Sequence, residues 1–387
     1  MSYDLTEEQK LLRKTIREFA ENEIAPHIPE LDRTETFSVE LVHKLGEMGL
    51  FGMTVDPKYG GQGADALSYI IAVEELARVD ASTAATVAAE NSLGIGPIVN
   101  FGTEEQKKKY LPDLMTGKKL WGFGLTEPNA GSDAGGTETT AVLEKGSWRI
   151  NGSKIFITNA ASEITAGVTV QAVTGKSSEE KNELSCIIVE RGTKGFSAKE
   201  MHHKLVWRSS NTGELFFDNV VVSEENILGK RGDGFRQMLA TLDSGRLGIA
   251  AMGLGGAQGA YELGLKYARE RKQFGKTIAS FQVNAFKLAD CAMEIEAART
   301  LLYRACWLKD NGKPFKKEAA MAKLYCSEVM NRVVNRAVQL HGGYGLMEEY
   351  PIARFYRDQK LLEIGEGTSE IQRLVIARSI GCFDDEK

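Results

Sequence analysis

Hydrophobic and polar positions change rhythm twice along this chain. Up to about residue 115 the apolar residues recur at helical spacing. Leu5, Leu12, Ile16 and Phe19 surround the string Thr6-Glu7-Glu8-Gln9, which predicts a capping box, and Pro26 closes the helix it starts. The same device returns at Thr103-Glu104-Glu105-Gln106, ahead of Tyr110 and Leu111. Between them, 67–79 and 84–100 predict two more apolar helices, and Tyr59-Gly60-Gly61-Gln62-Gly63 predicts a loop.

From Lys118 to Gly229 the rhythm shortens to alternation. Strands are predicted at 121–125, 139–143, 148–150, 154–158, 168–173, 184–190 and 213–217, with Asn151-Gly152 and Asp218-Asn219 as turns. After Gly234 the helical period returns and stays, predicting long helices over 243–267, 282–308, 317–340 and 368–380, with loops at 271–275 and 311–314. The fold class that follows is α+β in three domains: 1–117 helical, 118–231 a barrel-like β-domain, and 232–387 a four-helix bundle.

Composition narrows the function more than the fold. A length of 387 residues suits two or three cooperating domains with large cores, and 42% hydrophobic against 26% charged residues is ordinary for a soluble globular chain. The net charge of −5 offers no global basic field, which argues against nucleic acid as the main partner. No apolar run approaches the roughly 20 residues that span a bilayer, so no membrane insertion is expected. The acidic start at Asp4, Glu7 and Glu8 does not resemble a signal peptide, and a cytoplasmic location is expected.

Cys186, Cys291, Cys306, Cys326 and Cys382 are scattered, and buried free thiols are expected; the histidines lack metal-ligand spacing, so no metal is expected. Gly253-Leu254-Gly255-Gly256 follows no predicted strand and its next glycine is Gly259, so it reads as close helix packing and not as a dinucleotide fingerprint. No Ser-His-acid arrangement or P-loop is visible.

The candidate chemistry lies near the C-terminus. In Gly365-Glu366-Gly367-Thr368-Ser369-Glu370 a carboxylate sits between two glycines just ahead of a helix start, so it is presented on a turn. Read alone, such a turn is a solvated connection. Three other strings change that: Leu125-Thr126-Glu127-Pro128-Asn129-Ala130-Gly131-Ser132-Asp133, Gln339-Leu340-His341-Gly342-Gly343-Tyr344-Gly345, and Arg354-Phe355-Tyr356-Arg357-Asp358. Together, and in this order, the four resemble the FAD-dependent acyl-CoA dehydrogenase family over nearly the whole chain.

The resemblance implies a site, residue by residue. A flavin needs backbone donors and a small-residue approach for its phosphates. Phe123, Leu125, Thr126, Gly131 and Ser132 supply one such edge, and Phe156, Ile157 and Thr158 a second with an aromatic ring. Arg271, Phe274, Gln282, Gln339, Leu340, Gly342 and Gly343 would contact the adenine half of a flavin held mainly by a neighbouring subunit of a homotetramer, a dimer of dimers. Thr368 and Glu370 would border the cofactor as well. Ser132, Asp243 and Arg246 would bind the CoA moiety, with Gly365 and Gly367 beside the acyl group. Some relatives carry the catalytic glutamate at the position that is Gly245 here, so the base is Glu366. The electron acceptor implied is electron-transferring flavoprotein.

Substrate size is read from departures. Short-chain relatives carry tyrosine where this chain has Gly365, and glutaryl-type relatives carry arginine near Ala84, which argues against a dicarboxylate. Small residues over 84–89 with Gly365 predict a short, wide pocket, suited to an alicyclic thioester such as cyclohexanecarboxyl- or cyclohexene-carboxyl-CoA. Asn91 would then face the pocket floor, or bond to neighbouring backbone. A short linear or branched acyl-CoA (butyryl, isobutyryl), a non-catalytic flavoprotein or CoA-thioester binder, and an acyl-CoA oxidase are the alternatives.

Overall fold

Both capping boxes form. The Thr6 hydroxyl accepts from the Gln9 N–H while the Gln9 side-chain oxygen accepts from the Thr6 N–H, opening α1 (Glu7–Phe19); Thr103 and Gln106 repeat this at α7 (Glu104–Met115). The computed structural model describes residues 4–176 and 181–383. Between α1 and α7 lie α2 (Ile28–Thr34), α3 (Val39–Glu47), α4 (Ala66–Ala77), α5 (Ala81–Ala89) and α6 (Gly96–Phe101). The periodicity did not reveal α2 and α3, which have too few turns to show a period. Nearly every side chain of α4 and α5 is buried, as expected of helices apolar all round. Residues Glu90–Ile95, leaving α5, widen into a π-helical turn, a distortion that recurs at functional sites.

The middle unit is one eight-stranded sheet. Its strands are β1 (Leu120–Gly124), β2 (Thr140–Glu144), β3 (Ser147–Thr158), β4 (Thr165–Lys176), β5 (Asn182–Glu190), β6 (Phe196–Glu200), β7 (Thr212–Ser223) and β8 (Ile227–Leu228). They run in the order β6-β7-β3-β2-β4-β5-β8, with β1 parallel to β4. The two predicted turns at Asn151-Gly152 and Asp218-Asn219 are corrected. β3 and β7 run straight through them, and the pairs face each other across a register shift between Ile150 and Gly152. They form a bulge, which bends a strand without ending it. The tight turn lies instead at Lys145-Gly146, both left-handed (φ 51 and 77), joining β2 to β3.

The third unit holds α8 (Gly234–Glu270), α9 (Gln282–Asp310), α10 (Lys316–His341), α11 (Pro351–Ile364) and α12 (Ser369–Ser379). α8 is nine residues longer at its start than the pattern from 243 predicted, and α11 was not foreseen. The glycine-rich stretch of α8 makes the close packing expected of it: a Cβ on Gly255 would stand 2.1 Å from the Glu74 carbonyl oxygen, and one on Gly259 2.1 Å from that of Arg78. α8 is thereby pressed onto α4. First and third units share one continuous apolar core, whereas the sheet keeps its own around Trp148, Ile150, Val170 and Leu215.

Four cysteines are buried, but Cys382 is exposed, which corrects the expectation for that residue. Among the described residues no helix is long and apolar enough to cross a membrane.

Candidate active site

α11 ends at Gly365, whose N–H bonds the Leu361 carbonyl at 2.7 Å, and α12 begins under a cap in which the Thr368 hydroxyl accepts from Ile371 N–H at 3.3 Å. Between them Glu366 and Gly367 are both left-handed, φ 51 and 90. For a residue with a side chain this conformation costs on the order of 1–2 kcal/mol, so surrounding contacts must hold it. They do so through two carbonyls. The Gln372 amide donates to the Glu366 and Gly367 oxygens at 3.3 and 2.9 Å, and the Lys323 ammonium donates to Gly367 O at 2.7 Å.

So held, the Glu366 carboxylate lies against α8. A Cβ on Gly245 would fall 2.0 Å from Glu366 Oε2, an oxygen that is buried and has no hydrogen-bond partner among the described residues. Burial pushes this carboxyl up to about 7, while the charges of Lys323 and Arg246 hold it from rising further. Burial pushes Lys323 down to about 8, with Glu366 pulling the other way. Arg246 is buried and ion-paired with Asp243 one turn earlier on α8. Tyr69 completes the wall: its hydroxyl donates to Ala88 O at 3.3 Å, and burial raises its phenol. A dry, unpaired carboxyl balanced near neutrality is suited to taking a proton from a weak carbon acid.

Asn91 does not serve the pocket floor. Its side-chain oxygen accepts from Met53 N–H at 3.0 Å, and its NH₂ donates to Leu50 O and Val87 O at 2.8 and 2.9 Å. Of the two expectations for Asn91, bonding to neighbouring backbone is the one the structure shows: the amide ties the π-helical turn to the chain after α3. Asn91→Asp should therefore lose both donated bonds and set a carboxylate against two carbonyls. We expect destabilisation of about 1–3 kcal/mol, seen as a lower urea midpoint, and no new ring-dehydrogenating activity. An unchanged midpoint would contradict this role.

The residues implied for a flavin gather in two places. β1 delivers Phe123 to Thr126, and Thr126 O accepts from Ile155 N–H at 2.9 Å, bringing this edge beside Phe156. Phe156 is left-handed (φ 61) and 62% exposed, so an aromatic ring stands uncovered next to the strand end. Beneath, Lys154 donates to Leu125 O at 3.1 Å and to Glu127 Oε1 at 2.7 Å, a buried ion pair that fixes the edge from behind. Gly131 and Ser132 are exposed, with open space around Gly131. Thr158 is half-buried at the end of β3, while Ile157 turns its side chain into the sheet core.

The second place is a cavity of about 610 Å³ at the ends of α8 and α10. It assembles Arg271, Leu340, Gly342 and Gly343 with Tyr267, Gln273, Ile278, His341, Tyr344 and Met347. Phe274 (93% exposed), Gln282 and Gln339 are exposed and do not line it. Thr368 is occupied as the α12 cap, and Glu370 is exposed in the first turn of that helix. An uncovered ring beside a strand edge, with open glycine backbone in both places, fits FAD. Lys323, Gln372, Tyr69 and the Lys154–Glu127 pair were not anticipated: a single lysine or tyrosine within a helical period carries no sequence signal of its own.

Comparison with known proteins follows the same three units. The N-terminal domain of acyl-CoA dehydrogenases matches residues 6–118, the middle domain 122–220 and the C-terminal domain 232–381. A short-chain specific acyl-CoA dehydrogenase of Clostridium acetobutylicum is 48% identical over 380 residues, 98% of this chain and all of that protein. The structure of butyryl-CoA dehydrogenase from Megasphaera elsdenii superposes with a TM-score of 0.94 at 44% identity, covering 98% of this chain and all of that one. A chain solved in work on the electron transferring flavoprotein of Acidaminococcus fermentans superposes with a TM-score of 0.95, also at 44% identity and with the same coverage.

Proposed function

The chain belongs to the acyl-CoA dehydrogenase family, and we propose that within it the enzyme oxidises short-chain acyl-CoA thioesters, linear or methyl-branched, such as butyryl- and isobutyryl-CoA. It is an FAD-dependent oxidoreductase. The observation that carries the substrate class is the space beside Glu366. One turn along α8 from Gly245, a Cβ on Gly248 would already meet the Tyr69 hydroxyl at 3.1 Å and Ala88 at 3.4 Å. Tyr69 and Ala88 thus stand against α8 within one helical turn of Gly245, which supports a short acyl pocket. The wide alicyclic pocket expected from Gly365 is not supported: a Cβ there would meet Leu361 Cδ2 at 3.0 Å, so Leu361 takes part of the volume a tyrosine would use.

Glu366 Oε2 removes the α-proton of the thioester. Bound FAD would supply the acceptor for the β-hydride, so that loss of proton and hydride together leaves a 2-enoyl-CoA. Negative charge grows on the thioester oxygen as the proton leaves, and donors already in place lower that barrier. The Glu366 N–H, without a hydrogen bond among the described residues, is one such donor. Leu125 and Thr126 seat the ring edge, with Phe156 beside it. Arg271, Leu340, Gly342 and Gly343 would hold the adenine half of a neighbouring subunit's cofactor in a homotetramer. Asp243, Arg246 and Ser132 take the CoA moiety, and electron-transferring flavoprotein receives the electrons, in line with the structural neighbour from work on that protein.

Anaerobic titration of the yellow holoenzyme tests the substrate class. Butyryl- or isobutyryl-CoA should bleach the oxidised flavin band at lower concentration than cyclohexanecarboxyl-CoA; the reverse order, or bleaching by none of them, would refute it. Because the base must be ionised and its carboxyl lies at about 7, the bleaching rate should rise as pH increases through about 7. A rate flat from pH 6 to 8 would argue against Glu366 as the group that titrates.

A further inference from the structure

We propose that Lys323 is a positioning residue for the base: from inside the helical bundle its ammonium holds the Gly367 carbonyl, fixing the turn that aims Glu366, and supplies the buried positive charge against which that carboxylate ionises. The inference rests on Glu366 being the base.

Lys323 sits in the middle of α10 and is completely buried, among Ala319, Ala320 and Ala322 on its own helix. Burying an ammonium costs several kcal/mol unless it is well paired. Among the described residues Lys323 makes no ion pair, and the one bond its side chain makes is to Gly367 O at 2.7 Å. That oxygen already accepts from Gln372 at 2.9 Å, so keeping the carbonyl satisfied does not require a lysine. A methionine in its place would spare the desolvation.

What the lysine adds is charge at one location. The groups around Glu366 and Lys323 come from five helices: Tyr69 on α4 and the Asp243–Arg246 pair on α8 face Glu366, while Glu363 on α11 and Glu370 on α12 act on Lys323 on α10. Arg246 is engaged by Asp243, and Glu363 by Lys360 and Asn331. Lys323 remains the buried cation without an ion pair among the described residues, subject to the charges of Glu366, Glu363 and Glu370, and of the neighbouring charges it lowers the proton affinity of Glu366 most. The same side chain therefore sets both the direction and the ionisation of the base.

The test is the pH dependence of flavin reduction by butyryl-CoA in holoenzyme carrying Lys323→Met or Lys323→Gln, with FAD content and melting temperature measured alongside. For Lys323→Met we expect at least a ~10-fold slower reduction at pH 7 and an acid limb moved upward by about one pH unit. Lys323→Gln, which keeps a donor without charge, should recover part of the rate while its limb stays displaced. A folded, FAD-replete variant whose limb coincides with wild type overturns the proposal; if Lys323→Met does not fold, the limb of Lys323→Gln decides in the same way. Glu366→Gln separates the two readings. Retained activity there would remove Glu366 as the base, whereas its loss together with an unmoved limb in the lysine variants would remove only the role of Lys323.

Discussion

Replacing Glu366 by glutamine is expected to slow flavin reduction by butyryl-CoA at least ~100-fold, the loss typical of removing a general base, with FAD content unchanged. The substitution keeps the volume that fits against Gly245, and Oε2 has no hydrogen bond to lose. Stability should respond with a definite sign. The unfolded carboxyl releases its proton near 4.5 and the folded one at about 7. Between those values the folded wild type holds a proton that the unfolded chain has lost, so its stability falls as pH rises through this window. Glutamine does not titrate, and its advantage should grow across the same window and level off above about pH 7. Stopped-flow reduction and urea unfolding at pH 5 and 8 would measure both. A variant within threefold of wild-type rate would move the base elsewhere.

Gly245→Ala should be nearly as damaging although it removes no functional group. The new methyl would lie 2.0 Å from Glu366 Oε2, so either α8 or the carboxylate must move. α8 has nowhere to go. Ten residues further on, Gly255 brings it so close to α4 that a Cβ would stand 2.1 Å from a backbone oxygen, and Gly253 does the same toward α10 at 2.9 Å. The carboxylate therefore yields, by about an ångström. Misplacing a reacting group by that much costs up to ~10²-fold, so kcat/KM should fall by one to two orders of magnitude, with kcat carrying most of the loss and the melting temperature dropping only slightly. A predominant rise in KM at unchanged kcat would mean that the methyl obstructs substrate and leaves the base in place.

Local order explains what was legible in the chain. The capping boxes at Thr6 and Thr103 close within four residues, the switch from helical to alternating rhythm shows within a few turns, and Glu366 between glycines at a helix start marks a presented carboxylate. Four strings along the chain then pointed to the family and to the base. Elements of one or two turns, such as α2 and α3, escaped because a period needs length to appear. The bulge in β3 was mistaken for a turn because Asn-Gly favours left-handed backbone in either setting, and only strand pairing distinguishes them.

Packing decided the rest. Whether Asn91 faces an acyl group or three backbone partners depends on where Leu50 and Met53 arrive, some forty residues away. Leu361 takes part of the space beside Gly365, and Tyr69 and Ala88 close on α8 at Gly248. Lys323 reaches the turn that holds Glu366 across 44 residues of sequence. Short-range and contiguous patterns were enough for the kinds of elements, the family and the choice of Glu366 as candidate base. How the Glu366 carboxylate is aimed, charged and enclosed follows only from packing, because desolvation and close contact arise only when distant segments exclude water together.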